Sequence, residues 1–226
     1  MSVALWAGAG LAEAQQSDNP VVVELFTSQG CSSCPPADKL LASLAARDDV
    51  IALALHVDYW DYIGWKDSFA QPGFTTRQRG YAYAAGSRAI YTPQMIVNGA
   101  DHVMGANAMA VMDSVRAHQD RRSPITLRLS RTGDTLTLEA RAPEPVDALD
   151  IHLVRYRPSA SVRITKGENA GRTLDYANIV TDWQLVGRWE GDAPLRMELD
   201  LSGEAPAVVL LQKLGHGPIR AAARLR

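Results

Sequence analysis

Two cysteines, Cys31 and Cys34, are the residues whose type and spacing best suit chemistry in this sequence. They are the two cysteines of a chain of 226 residues. A disulfide between them closes a very short loop, and cross-linking short loops contributes little stability. A Cys-x-x-Cys motif beside a strand–helix unit is a redox signature. Its reactive species is the thiolate, which attacks a disulfide. The spacing therefore predicts a redox-active thiol/disulfide pair.

The elements around this motif must place the sulfurs where a thiolate is stable. Residues 21–26 are a run of strand formers that enters a polar turn, and residues 37–45 carry leucines at helical spacing. Proline is tolerated in the first turn of a helix, so the two prolines after Cys34 fit a helix that begins there. The dipole and the unpaired N–H groups of a helix start stabilise a thiolate. We predict Cys31, outside the helix, as the more exposed nucleophile and Cys34 as the resolving cysteine.

Other uses of the pair stay open at this point. The cysteines could form an inert disulfide, half of a structural zinc site, or a metallochaperone site for a soft ion such as Cu(I). None of the histidines forms a closely spaced pair, and His56, at the end of the next apolar run, is interpreted as a packed, hydrogen-bonded residue. Ser32 and Ser33 are small and uncharged, and we expect them to contact substrate. We favour redox chemistry without a metal or cofactor over a non-catalytic binding protein or copper metallochaperone.

Three segments of the sequence resemble a known family. They are residues 24–35, residues 56–61 and residues 91–94. These segments are similar to a bacterial secreted thioredoxin-like family of unknown function, the twelve-twenty-three group of domains of unknown function. The resemblance implies a thioredoxin-like fold and a periplasmic or secreted location, and it supplies no substrate.

The resemblance also implies roles for residues outside the cysteine motif. In the thioredoxin fold a cis-proline faces the two cysteines, and the backbone of the preceding residue meets the substrate; these roles fall to Pro93 and Thr92. Thioredoxins also bury an acid behind the cysteines, and Glu24 or Asp58 is the candidate here, since buried carboxylates have raised pKa values and can relay protons. Trp60, in an aromatic loop, is expected to line the substrate groove.

The composition changes after residue 121. From Pro124 onward, short segments of alternating apolar and polar residues follow one another at regular spacing, a pattern typical of antiparallel β-strands. We therefore predict an α/β thioredoxin-like N-terminal domain over residues 20–121. An antiparallel all-β C-terminal domain is expected to follow it over residues 124–226.

Composition also narrows the partners. The formal net charge is -2 and the pI about 6.2, whereas nucleic acid and anionic membrane surfaces require a basic excess. Residues 1–19 combine a short apolar run with an Ala-Glu-Ala site, which predicts a signal peptide and tail, and no membrane span is expected elsewhere. The sequence thus predicts a periplasmic or secreted thiol–disulfide oxidoreductase that acts on a protein or peptide thiol or disulfide and depends on an unknown redox partner.

Overall fold

The structure, a computed structural model, describes residues 20–121 and 123–225. Within these ranges the chain forms eleven β-strands, three α-helices and one short 3-10 helix. In chain order they are β1 Val21–Thr27, α1 Pro35–Ala45, β2 Val50–His56, the 3-10 helix Asp61–Ile63, α2 Pro72–Ala84, β3 Gln94–Val97, β4 Asp101–Met104, α3 Ala108–Gln119, β5 Thr126–Thr132, β6 Thr135–Arg141, β7 Leu149–Arg163, β8 Thr173–Trp189, β9 Leu195–Asp200, β10 Ala207–Lys213 and β11 Ile219–Leu225. No helix in the described ranges has the length and apolar character needed to cross a membrane. The predicted signal peptide, residues 1–19, lies outside the described residues.

The predicted fold class, an α/β thioredoxin-like domain followed by an antiparallel all-β domain, is wrong. Strands from both halves of the chain share one mixed sheet of eight strands, in the order β11-β10-β7-β8-β2-β1-β3-β4. A second sheet contains β5, β6 and β9, so the described chain is mainly β. Apolar alternation reports which face of a strand is buried, but it does not identify the distant strand that pairs with it.

The two central strands, β1 and β2, are buried along their whole length and pair in parallel. Their nearly continuous apolar sequences suit strands that are covered on both faces. Alternate side chains point to opposite faces, so Val23 and Leu25 pack beside α1 and α3, whereas Val22 and Phe26 pack against α2. The carboxyl ends of both strands, beside the start of α1, therefore meet at one edge of the layered core.

The smaller sheet packs on the end of the larger one. Its strands β5 and β6 show the predicted alternation, with one buried and one more exposed face. Leu127 and Leu138 point inward and pack in one cluster with Ile151 of β7 and Leu211 of β10. This sheet therefore builds the core of the second half, and it contributes no side chain to the site described below.

The hairpin of β7 and β8 is much longer than the alternation pattern predicted. The two strands stay paired as far as Arg163 and Thr173, although β10 flanks β7 only as far as Arg155. The outer part of the hairpin buries Tyr176 and other apolar residues against the aromatic loop that follows β2. We call the turn that joins the strands, residues 164–172, the hairpin tip. It reaches back to the start of α1.

Candidate functional site

The two cysteines form a disulfide at the start of α1. Their Cα atoms lie 5.4 Å apart. Cys34 is the N-cap residue of the helix, and its carbonyl accepts hydrogen bonds from the backbone N–H groups of Ala37 (2.8 Å) and Asp38 (3.1 Å). Cys31 lies outside the helix, in the preceding turn. The pair therefore sits at the positive end of the helix dipole, where a thiolate formed by reduction is stabilised.

The exposure predicted for Cys31 is wrong. Both Cys31 and Cys34 are 0% exposed, whereas Ser32 and Ser33 between them are exposed. The hairpin tip contacts this loop, because Asn169 is itself fully buried and donates from Nδ2 to the carbonyl of Cys31 (3.0 Å). A turn far along the chain is thus bonded to the main chain of the cysteine loop.

The loop before the cysteines is fixed by polar and steric contacts. The backbone N–H of Gln29 donates to Asp67 Oδ2 (2.7 Å), and its side-chain oxygen accepts from Trp65 Nε1 (2.8 Å). Gly30 packs against the 3-10 helix, where a Cβ atom would lie 3.0 Å from Ile63 Cδ1. A side chain at this position would make Ile63 or Trp60 shift by a few tenths of an ångström, so the close approach favours glycine.

Trp60 connects the cysteine loop to the Thr92–Pro93 turn. Its Nε1 donates to Thr92 Oγ1 (2.7 Å), and its Cβ lies 3.3 Å from where a Cβ atom of Gly30 would be. The Thr92–Pro93 peptide bond is cis. The Pro93 carbonyl accepts from the backbone N–H of Gly105 (3.0 Å). The structure thus brings together the three residues assigned to the substrate groove, and Trp60 lies beside Gly30, the residue that precedes Cys31.

A buried carboxyl group lies one helical turn after Cys34. Residues four apart share a helix face, so the side chain of Asp38 lies on the same side of α1 as Cys34. Thr27 Oγ1 donates to Asp38 Oδ1 (2.8 Å), whereas Oδ2 has no hydrogen-bond partner among the described residues. Burial raises the pKa of Asp38 to about 7, against smaller opposing effects of His56 and of the Thr27 hydrogen bond. A carboxyl group with this pKa exchanges its proton readily near neutral pH.

His56 and Asp67 form a second buried pair next to Asp38. His56 Nδ1 lies 2.8 Å from Asp67 Oδ2, and both side chains are fully buried. Burial raises the pKa of Asp67, but His56 and two backbone N–H groups outweigh it and hold this pKa below its ordinary value. The ring centroids of His56 and Tyr176 are 5.0 Å apart. We call these four residues, Asp38, His56, Asp67 and Tyr176, the Asp38 cluster.

Three polar atoms of the Asp38 cluster lack a hydrogen-bond partner in the described part of the chain. They are Asp38 Oδ2, His56 Nε2 and the Tyr176 hydroxyl oxygen. Burial raises the pKa of Tyr176, and the charges of Asp38 and Asp67 raise it further. Buried polar atoms are nearly always paired, so the described side chains alone do not saturate this cluster.

The two acids predicted as proton relays lie elsewhere. Glu24 of β1 points to the face opposite α1, where its carboxylate accepts from Arg77 Nε (2.6 Å) and from the Tyr81 hydroxyl. Asp58 follows β2, and its Oδ1 accepts from Thr75 Oγ1 (2.5 Å) in α2. The structure brings neither carboxylate to the disulfide, because both are held by side chains of α2.

Comparison with known proteins assigns the chain to a family. The sequence model of the family described as Protein of unknown function (DUF1223) matches residues 22–212. The chain belongs to this family. The predicted membership of the twelve-twenty-three group is therefore confirmed, whereas the thioredoxin-like aspect of that resemblance is not.

Solved structures also resemble this DUF1223 member. The X-ray crystal structure of protein AGR_C_4864 from Agrobacterium tumefaciens is 34% identical, with a TM-score of 0.81 over 93% of this chain and 96% of that chain. HBP35 of Porphyromonas gingivalis is 15% identical, with a TM-score of 0.65 over 92% of this chain and 75% of that chain, which is a likeness of fold alone. Among curated proteins, none matches.

Sequence reasoning missed several residues of the site in this DUF1223 member. Asp38 lies on the buried face of α1 together with Leu41, so an acid four positions after Cys34 on an apolar face was an available signal. His56 ends an otherwise apolar strand, and its interpretation as a packed, hydrogen-bonded residue agrees with its contacts. Asn169 carried no signal, because 138 residues separate it from the cysteine that it contacts.

No group of three or more His, Cys, Asp or Glu side chains in the described ranges is arranged to hold a metal ion. The site offers two sulfurs and a buried carboxyl group. Those groups are suited to the exchange of electrons and protons between thiols.

Proposed function

We propose that the chain is a thiol–disulfide oxidoreductase of the cell envelope that acts on protein or peptide partners. The observation that carries the proposal is the Cys31–Cys34 disulfide at the start of α1, one turn before a buried carboxyl group, Asp38, with a pKa of about 7. The helix start stabilises a cysteine thiolate, and the Asp38 carboxyl group accepts the Cys34 proton or returns it. A purely structural disulfide gives no reason for a buried carboxyl group with a raised pKa behind it.

In the reducing direction, the Cys31 thiolate attacks one sulfur of a substrate disulfide. A mixed disulfide forms, and the other substrate sulfur leaves as a thiolate. Asp38 then takes the proton of the Cys34 thiol, and the Cys34 thiolate attacks the Cys31 sulfur. The second substrate thiolate leaves, the Cys31–Cys34 bond forms, and two electrons have passed to the substrate. A dithiol partner restores the reduced pair.

The reverse sequence oxidises a substrate dithiol. A substrate thiolate attacks the Cys31 sulfur, the Cys34 thiolate leaves, and Asp38 in its protonated form returns the proton to it. The second substrate thiolate then displaces Cys31, so the substrate gains the disulfide. The reduction potential of the pair relative to its compartment decides which direction dominates.

The proposal also includes the residues that contact the substrate and the cellular location of the protein. Trp60, Thr92 and Pro93 supply the wall that meets the substrate, and the exposed Ser32 and Ser33 flank the attacked sulfur. A periplasmic or secreted location is supported by the composition of the chain's first residues and by the disulfide, since disulfides persist in oxidising compartments.

Covalent trapping tests this function. Cys34→Ser lacks the resolving thiol, so it should accumulate mixed disulfides with its partners, which non-reducing electrophoresis and mass spectrometry identify. Cys31→Ser is the matched control and should trap nothing. Wild-type protein that has been reduced beforehand should reduce insulin in a single turnover, and both variants should lose this activity. An empty Cys34→Ser trap together with inactive, correctly folded wild-type protein would contradict the proposal.

A further inference from the structure

The hairpin tip, residues 164–172, holds the main chain of the cysteine loop. Asn169 Nδ2 donates to two carbonyl oxygens, those of Gln29 (2.9 Å) and Cys31 (3.0 Å). Both donor positions of one buried amide group are therefore used on the segment that carries the nucleophilic cysteine. Asn169 is 0% exposed, so these bonds are shielded from competing water.

Contacts within the tip fix the orientation of Asn169. Arg172 Nη1 donates to Asn169 Oδ1 (2.8 Å), which leaves the amide nitrogen directed at the cysteine loop. The backbone of the tip is also bonded to itself, from Gly171 N–H to the Ile164 carbonyl (2.8 Å) and from Ala170 N–H to the Gly167 carbonyl (3.2 Å). These internal bonds stabilise the conformation of the turn.

The tip also touches both sides of the cysteine loop. Glu168 Oε2 accepts from the backbone N–H of Ser32 (3.3 Å). Gly167 has a φ of +75° and packs so closely that a Cβ atom there would lie 3.3 Å from Trp65 Cβ. Gly167 thus permits both the left-handed turn and the close contact of the tip with Trp65.

We infer that the hairpin tip determines which partners reach the disulfide, with Asn169 as the positioning residue that holds the tip closed. The inference rests on the proposed function. Both cysteines are 0% exposed, and the tip is bonded to the Cys31 carbonyl and to the Ser32 N–H, so separation of the tip from the cysteine loop is the motion that we expect to expose the Cys31 sulfur. A protein partner that binds the open form shifts this equilibrium, whereas a small reductant without such differential binding must wait for spontaneous opening. The tip thereby selects macromolecular substrates over small thiols.

The rate at which a small phosphine reduces the disulfide tests this inference without requiring enzymatic turnover. The phosphine bonds to one sulfur as the S–S bond breaks, and water then yields phosphine oxide and two thiols, which a maleimide labels for mass spectrometry. Asn169→Asp keeps the side chain's shape but loses both donated hydrogen bonds when it is ionised. We expect reduction to become about tenfold faster, since two amide hydrogen bonds no longer oppose opening.

A matched control separates opening of the tip from loss of global stability. Asn107 caps α3 through a hydrogen bond from the Ala110 backbone N–H (3.1 Å), and it makes no hydrogen bond with the cysteine loop. Asn107→Ala should destabilise the fold by a comparable amount while the phosphine rate stays within about twofold of wild type. Equal acceleration in Asn107→Ala and Asn169→Asp would overturn the inference, because it would assign exposure of the disulfide to global unfolding.

A second variant keeps the test decisive if Asn169→Asp does not fold. Glu168→Ala removes the single bond to Ser32, and we expect reduction to become about threefold faster. Wild-type rates in the folded Asn169 and Glu168 variants would contradict the proposed control of access. An empty Cys34→Ser trap combined with accelerated phosphine reduction would instead contradict the oxidoreductase proposal and leave the control of access supported.

Discussion

Two buried polar clusters lie on opposite faces of the same pair of central strands, and they differ in how completely their atoms are bonded. On the face covered by α2, Glu24, Arg77, Tyr81 and Gln212 form what we call the Arg77 cluster. Arg77 bonds to the Glu24 carboxylate, to the Tyr81 hydroxyl (2.8 Å) and to Gln212 Oε1 (3.0 Å). Its guanidinium also lies 3.8 Å from the ring centroid of Trp183. Every buried charge in this cluster therefore has a partner of opposite charge.

The Asp38 cluster, on the face covered by α1, is bonded incompletely. One oxygen of Asp38, one nitrogen of His56 and the hydroxyl of Tyr176 have no partner among the described residues. Both clusters bury comparable polar groups under similar layers, so burial alone does not explain the difference. A saturated cluster joins elements of the fold, whereas a cluster with spare donors and acceptors can bind and release protons. Position relative to the disulfide separates the two roles.

The strongest test of this comparison is removal of the Arg77 cation. Arg77→Met leaves the Glu24 carboxylate buried and unpaired, so we expect a loss of about 5 kcal/mol in the free energy of unfolding, measured by urea denaturation. The matched control is Arg116→Met, since Arg116 pairs with Asp113 on the exposed surface of α3 and should cost less than about 0.5 kcal/mol. Equal losses in the two variants would show that the Arg77 cluster does not hold the fold together.

The pH dependence of stability distinguishes Asp38 from the paired acids. Its pKa in the folded state, about 7, lies above the ordinary value of 3.8. The folded state therefore retains a proton that the unfolded state releases, and the wild-type protein loses stability as pH rises between these values. Asp38→Asn removes this loss. We expect the stability difference, variant minus wild type, to grow by up to about 4 kcal/mol between about pH 4 and about pH 8.

Urea denaturation at several pH values, with the disulfide intact, measures this difference. Asp113→Asn is the control, since Asp113 is an exposed acid paired with Arg116 on the surface of α3. A pH-independent difference for Asp38→Asn would mean that Asp38 has an ordinary pKa and that the Asp38 cluster does not differ from a structural network.

The same substitution also tests whether Asp38 moves the proton of Cys34. General acid–base groups contribute about a hundredfold or more to rate, so Asp38→Asn should slow release of the mixed disulfide by about that factor at neutral pH. The pH profile of the wild-type step should rise through the pKa of Asp38, and this rise should disappear in the variant. Glu24→Gln should keep the wild-type profile, because Glu24 lies on the other face of the sheet. If Glu24→Gln changed the pH profile and Asp38→Asn did not, Glu24 rather than Asp38 would be the acid that exchanges the proton of Cys34.

The sequence predicted the local parts of this molecule well and its long-range parts poorly. The helix start after Cys34 and the parallel pairing of β1 with β2 depend on residues close in the chain, and both occur in the structure. The pairing of Ala54 with Ile179 joins the two halves of the chain in one sheet, and no pattern of alternation identifies such a partner. This unforeseen pairing also brings the β7–β8 hairpin to the main chain of Cys31, a contact that the sequence did not predict.

The choice of acid was the avoidable error. Alternation along β1 places Glu24 and Thr27 on opposite faces, and Thr27 is the residue that bonds to Asp38. Once the helix is assigned to the face of Val23 and Leu25, Glu24 is excluded from that face. An acid on the buried side of α1 then remains as the carboxyl group nearest Cys34. Hydrophobic periodicity was therefore sufficient to find Asp38, although it could not predict the residues contributed by β8.

Two tyrosines provide the finest test, because each cluster contains one. Tyr81 bonds to Glu24, Arg77 and Gln212, so Tyr81→Phe leaves buried charged and polar groups short of a partner and should cost about 1–3 kcal/mol. The Tyr176 hydroxyl has no described partner, so Tyr176→Phe should change the free energy of unfolding by less than about 0.5 kcal/mol or increase it.

Both tyrosine variants keep the aromatic ring and remove one oxygen atom, so packing is matched and the difference reports on hydrogen bonding. Urea denaturation at one pH compares the stability of the two variants directly. The rate at which the mixed disulfide is released provides a second measurement. Tyr81→Phe should leave that step unchanged. Tyr176→Phe should alter its pH profile, because the hydroxyl interacts electrostatically with Asp38. If Tyr176→Phe costs as much stability as Tyr81→Phe, its hydroxyl is bonded in the folded protein and the Asp38 cluster is as saturated as the cluster around Arg77.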